Sequence, residues 1–276
     1  MTITTRDGIA TALSIYGQPF NIWKASQTAE GAGTFHSLWK AAGRPEAGAN
    51  PPAFGAGSGY VPTRTTTGAL GQTDESGGRE LYPLLATLKS SAQCTIIVAD
   101  RLWACSGFGT VVTTAQNIVT PGVLPSARDP LNGADVEPWL EVYTAPGATT
   151  ATWTVTGQDS SGTTDRTWTY THPANAESVG QMMPLTPGGA TPGLLGMEIP
   201  ASFTASASSG TAGNIGLTLI RRIAEIPCIA AQVGETADAF KLGLPRVYAG
   251  ACLMFIIACT GTATGNVQGL LKLGEG

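Results

Sequence analysis

The chain is poor in charge. Only 12% of its 276 residues are Asp, Glu, Lys or Arg, about half the share of roughly 25% usual in soluble domains. The net charge is −4, and Arg221-Arg222 is the sole adjacent basic pair. Neutralising phosphates needs a concentrated basic face, so direct nucleic-acid binding is not expected. Histidine occurs twice, at His36 and His172, and no HxxEH or CxxC pattern marks a metal site. A GxSxG elbow is missing. The Gly-rich run at 55–59 lacks the Lys-Ser/Thr that would make it a phosphate loop, and Ser58 and Ser106 read as loop serines. The five cysteines, Cys94, Cys105, Cys228, Cys252 and Cys259, are odd in number and sit in or beside apolar runs. They read as reduced core residues and not as a secreted disulfide framework. The longest apolar run, 251–259, is far short of the ~20 residues of a membrane span. No basic segment precedes an apolar core at the N-terminus, so no signal peptide is expected. The chain reads as made in the cytosol, with no membrane, metal or cofactor as partner.

What is present is strand signal. In ATWTVTGQDSSGTTDRTWTYTH (151–172), Trp153 and Val155 alternate with threonines, as do Trp168 and Tyr170. Period-two alternation means a strand with one buried face, and the intervening turn formers make the pair a hairpin. Trp139 to Tyr143 form a preceding strand. Further strands are expected at 95–99, at 110–119, around 194–199, at 215–227 with a bend near Arg221-Arg222, at 251–259 and at 266–273. A turn at Asp100-Arg101 would end the first of these. Thr5-Arg6-Asp7-Gly8 reads as the cap of a short helix from Ile9 to Tyr16. Leu81, Leu84, Leu85 and Leu88 have helical spacing, and 235–244 reads as another short helix. Many short strands punctuated by Gly and Pro give an all-β fold, a β-sandwich or jelly-roll-like domain over 81–276. Residues 1–80 read as a loop-rich N-terminal region. Within it, 43–67 is either an arm ordered by a neighbour or a surface loop.

Two constellations invite a chemical reading. Glu137 and Glu141 flank Trp139 on one strand face, which suits a carbohydrate cleft or simply a mixed solvent face. Asp159 and Asp165 share the hairpin loop, without the spacing of a calcium-binding EF-hand. Neither points firmly to catalysis, and the expectation is a non-enzymatic protein.

The hairpin above, with SSGTAGNIGLTLIRRIAEIP (208–227) and GLPRVYAGACLMFIIAC (243–259), resembles virion structural proteins of tailed bacteriophages, of the capsid decoration or cement type. The resemblance is one of texture over 135–273. It implies a β-sandwich or jelly roll that sits on the capsid surface as a homotrimer, assembled in the host cytoplasm. Its partners would be copies of itself and the major capsid protein, whose neighbouring subunits it would clamp. A chain with little charge hides surface most simply against other subunits, which agrees in direction. A tail or fibre component is the second reading, and a carbohydrate-binding or glycan-cleaving module the third. The residues expected at subunit contacts are Phe54, Tyr60, Arg64, Arg221 and Arg222.

Overall fold

The computed structural model describes residues 3–26, 30–55, 60–119, 124–175, 177–188, 196–261 and 265–276. Ser58 and residues 189–195, where one strand was expected to begin, lie outside them. Helix α1 (Arg6–Ser14) leads into β1 (Gly17–Lys24), β2 (Phe35–Ser37), β3 (Gly43–Arg44), β4 (Leu81–Ser90), β5 (Cys94–Gly109) and β6 (Gln116–Asn117). Then come β7 (Glu137–Thr144), β8 (Ala151–Asp159), β9 (Arg166–His172), β10 (Gln181–Pro184), β11 (Thr186–Gly188) and β12 (Met197–Ala205). The chain ends with β13 (Asn214–Cys228), β14 (Glu235–Asp238), α2 (Ala239–Leu242), β15 (Leu253–Cys259) and β16 (Val267–Glu275). The fold is all-β, as the alternation predicts.

The chain divides into two compact units. Unit 1 comprises Met1–Ala49, Thr63–Asp100 and Arg222–Gly276, and unit 2 comprises Asn50–Pro62 and Arg101–Arg221. In unit 1 a five-stranded antiparallel sheet runs β14-β4-β16-β1-β3. Opposite it, β15 lies between β2 and the first half of β5. Ile22, Leu88 and Leu271 from the first sheet meet Ile96, Val98, Phe255 and Ile257 from the second in one core. In unit 2 the sheet β11-β9-β8-β12-β6 faces β10, β7 and the first half of β13. Trp153, Val155, Trp168 and Phe203 fill its core with Leu140, Val142, Leu217 and Leu219. Each unit is thus sandwich-like, one sheet packed on strands of the closed ladder β10-β2-β15-β5-β13-β7.

The central hairpin forms as expected: Trp153 pairs with Tyr170 and Val155 with Trp168, and both tryptophans are buried. Thr5 caps α1, its Oγ1 accepting from the Gly8 amide at 3.0 Å, although the helix stops at Ser14.

Four expectations fail. The leucines of 81–90 form strand β4, not a helix. Its pairing with β16 carries a bulge between Lys272 and Leu273, opposite Leu85 and Pro83, where Pro83 needs no ladder donor. Tyr82 and Leu84 therefore join one apolar cluster with α1 and α2, while Ala86 and Leu88 join the main core. The bulge shifts the phase, and apolar cover on both faces mimics helical spacing. No turn interrupts β5 at Asp100-Arg101, because both side chains are bonded inside. Of 110–119 only Gln116–Asn117 is a strand, held by Phe203 and Ser202. The 235–244 segment begins as β14, paired with β4, and only its second half is helical.

Candidate functional site

The densest polar constellation among the described residues is inside unit 2. β5 supplies Arg101, β7 supplies Glu141 and Tyr143, and β13 supplies Thr218. Arg101 Nη2 donates to Glu141 Oε2 at 2.6 Å, and lies 2.9 Å from the Tyr143 hydroxyl and 3.0 Å from Thr218 Oγ1. Tyr143 and Thr218 both donate to the same Glu141 oxygen, at 2.7 and 3.1 Å. The Arg101 and Glu141 side chains are 0% and 1% exposed. Burial, followed by the charge of Glu141, holds the Tyr143 phenol well above its usual range. The group ties β5, β7 and β13 to one another through side chains.

This corrects the reading of the β7 face as solvent-facing or as a sugar cleft. Trp139, Glu141 and Tyr143 are buried, and the Trp139 indole N–H donates to Glu137 Oε2 at 3.0 Å. The aromatic ring and the carboxylates are engaged with one another and offer no open stacking face.

A second knot closes the far end of the hairpin. His172 Nδ1 lies 2.6 Å from the Glu177 carboxylate, and Nε2 lies 2.8 Å from the Gly147 carbonyl. The ring stacks on Trp153 at 4.4 Å between centroids. Tyr170 also donates to Glu177, at 3.1 Å, and burial together with that carboxylate pushes its phenol up. The hairpin loop holds no vacant ligand set. Asp159 Oδ1 accepts from the Ser161 amide and hydroxyl and the Thr163 amide, and Oδ2 from Arg166 Nε at 2.9 Å. Burial raises the Asp159 carboxyl, but these bonds outweigh it and leave the group below its ordinary value. No group of three or more His, Cys, Asp or Glu suited to a metal occurs among the described residues.

Unit 1 has a cleft of about 380 Å³ lined by Ile3, Thr5, Thr11, Tyr16, Arg79 and Glu275. Its one cation is engaged: Arg79 donates to Glu275 at 3.0 Å and lies over the Tyr16 ring at 4.1 Å. Elsewhere in the unit Lys24 is buried, its ammonium donating to the carbonyls of Ala41 at 2.7 Å and Pro45 at 2.9 Å. Burial lowers it to about 8. Lys24 thus pins the chain on both sides of β3 to β1.

The five expected contact residues are scattered. Phe54 is half-buried and stacks on Phe108 at 5.0 Å, and the Tyr60 backbone bridges Ala104. Both therefore pack against their own unit. Arg64 pairs with Asp74 at 2.7 Å and stays partly exposed. Arg221 is buried, whereas Arg222 is exposed and paired with Glu225. Sequence reasoning missed Arg101, Glu177 and Lys24 as structural anchors. The one available signal was a charged pair, Asp100-Arg101, inside an otherwise apolar run.

No protein-family model and no curated protein matches the chain. Among solved structures, a viral particle of infectious bursal disease virus is 11% identical, with a TM-score of 0.17, over 94% of this chain and 63% of that one. The VP2 subviral particle of the same virus is 12% identical, with a TM-score of 0.18, over 93% of this chain and 66% of that one. The chain spans less than two thirds of the length of either, and a likeness this faint carries no argument.

With the charged and aromatic candidates accounted for internally, the surface is what remains. Neither described helix is long and apolar enough to cross a membrane. Large apolar side chains stay in water on each unit. In unit 1 these include Ile15 at 68%, Ile229 at 65% and Phe240 at 65% exposed; in unit 2, Leu131 at 57% and Val119 at 50%.

Proposed function

We propose that the chain is a non-enzymatic structural protein of a virus particle, of the phage capsid decoration or cement type, that works by packing against copies of itself and a capsid lattice. The observation that carries this reading is a surface short of charge yet studded with exposed apolar side chains. Burying such area against another subunit contributes on the order of 2.5 kcal/mol per 100 Å² before ordering costs. Repetition on a symmetric lattice adds avidity. Two sandwich-like units with internally tied polar groups suit a load-bearing part better than a site of turnover. Arg64 and Arg222, and the exposed parts of Phe54 and Tyr60, would belong to the contact surface, while Arg221 would stiffen it from inside. The assembly is proposed as a homotrimer formed in the host cytoplasm, with the major capsid protein as its other partner.

The test mixes the purified chain with mature and immature phage heads and with isolated tails, and measures co-sedimentation. Binding to mature heads supports the reading. Binding to tails alone would replace it with a tail or fibre role. A monomer at every concentration that binds neither, or one that cleaves a polysaccharide, would sink it.

A further inference from the structure

We propose that the outer face of the five-stranded sheet of unit 1 binds an acidic polysaccharide, with Trp23 as the platform for a sugar ring and Arg44 and Lys89 as counter-charges. The inference does not rest on the assembly reading. Strand pairing builds the site as one row across four strands. Arg44 of β3 lies opposite Trp23 of β1, Trp23 opposite Gln268 of β16, and Gln268 opposite Lys89 of β4. Ile22, Val267 and Leu88, chain neighbours of Trp23, Gln268 and Lys89, belong to the core. Alternation along each strand therefore turns the row to the other face. With about 4.8 Å between strands, the row spans roughly 14 Å. The next row along carries Asn21, Leu270 and Thr87.

Three features of the row point to a sugar chain. Trp23 is 47% exposed, whereas Ile22 beside it is 3% exposed. The indole lies against β3: a Cβ on Gly43 would come within 2.9 Å of Trp23 Cε3 and 1.9 Å of the Trp23 carbonyl. Glycine at this position backs the ring with bare main chain. The second feature is a pair of oriented amides. Gln268 Nε2 donates to Gln232 Oε1 at 3.1 Å, which leaves the Gln268 oxygen and the Gln232 nitrogen for a ligand. Beside them a groove of about 310 Å³ is lined by Thr87, Lys89, Gln232 and Thr236. The third feature is unspent charge. Arg64, Arg79 and Arg246 of the same unit are each paired with a carboxylate. Among the described residues neither Arg44 nor Lys89 forms an ion pair.

A sugar ring presents C–H groups on its faces and hydroxyls around its rim. The C–H face suits the electron-rich face of an indole. The hydroxyls suit amides, which both donate and accept. A uronic carboxylate suits the planar fork of Arg44 and the ammonium of Lys89. A protein partner fits less well, because interface energy concentrates in clusters of large side chains. Here Leu270, itself half-buried, is the one large aliphatic residue in the two rows. A nucleic acid carries a charge at every nucleotide and needs a basic track along its backbone. Two cations at the ends of a row, with a ring and an amide between them, match the sparser charge of a polyuronate.

The full-length protein is titrated with hyaluronan and with polygalacturonate fragments, and in parallel with dextran of similar size and with oligo-dT. Tryptophan emission and heat are followed together. The other five tryptophans are buried, so a change in emission reports on Trp23. The expected result is saturable binding of at least one polyuronate with a shift in emission, weakened by added salt, and no response to dextran. Trp23→Ala should abolish the heat. Arg44→Ala and Lys89→Ala should each weaken binding by about tenfold and leave the unfolding midpoint unchanged, so the assignment stays testable even where Trp23→Ala fails to fold. Absence of saturable binding to both polyuronates, equal binding of dextran, or binding undiminished in both cation variants would overturn it. A preference for oligo-dT would replace the glycan with a single-stranded nucleic acid.

Discussion

His36 shows how a single side chain can tie stability to pH. It is fully buried on β2, with Nε2 at 3.0 Å from Thr34 Oγ1. The Thr34 hydroxyl donates to the Gly31 carbonyl, so the ring carries its proton on Nε2 and donates it to Thr34. A second proton would sit on a buried Nδ1, and burial accordingly lowers the imidazole to about 4. The unfolded chain keeps the ordinary value near 6.5 and binds the proton first on acidification. Stability is therefore complete above pH 6.5 and lost as the pH falls toward 4, by at most about 3 kcal/mol. Urea unfolding of His36→Gln should show a flatter acid limb across that window; an unchanged slope would refute it. Arg101 is the second test at this scale. Arg101→Met alone strands the Glu141 charge and should cost about 3–5 kcal/mol, whereas Arg101→Met with Glu141→Leu should recover much of the loss. Equal costs for the single and double variants would show that the pair is not coupled. The charged pair in an apolar run hinted at Arg101, but its partners were not legible in the sequence, because Glu141, Tyr143 and Thr218 reach it only through strand pairing.

At the scale of elements, legibility followed how many faces a strand buries. β8 and β9 bury one face, so Trp153, Val155 and Trp168 announced them through alternation. β4 is covered on both faces and changes phase at its bulge, so neither period survives and its leucines imitate a helix. β5 and β13 were visible as apolar runs, but their division between two units was not, because that division depends on which strands lie beside each half. The candidate site shared this fate: the Glu137, Trp139 and Glu141 trio was found, but not that it faces inward. The crowding in unit 1 yields a sharp prediction. Gly269 on β16 has φ +142°, and a Cβ there would meet the Thr87 carbonyl of β4 at 1.9 Å. Gly269→Ala must move one of two paired backbones and should cost about 2 kcal/mol or more. Gly55→Ala, which has no such clash, should stay within about 0.5 kcal/mol. Denaturant midpoints compare the two directly.

For the molecule as a whole, the question is what covers the apolar side chains left in water. In unit 1, Ile229, Val233 and Phe240 flank β14, which ends the sheet β14-β4-β16-β1-β3. A sheet edge is a ready template for pairing, and charge beside it is a common guard. Here Glu235 and Lys241 pair beside it, and Asp238, exposed on the strand, caps α2, so little free charge is left among the apolar neighbours. The proposed assembly predicts that this edge takes part in contacts between copies. Ile229→Ser and Phe240→Ser remove exposed atoms that pack against little of their own chain, and the unfolding midpoint of the dilute monomer should change by less than about 0.5 kcal/mol. Mass measured by light scattering across a concentration series should show association weakened by the same substitutions, since interface energy concentrates in a few large apolar side chains. Association that is indifferent to both substitutions would move the contact to another face. A parent chain that stays monomeric throughout would remove the reason for expecting such a contact between copies.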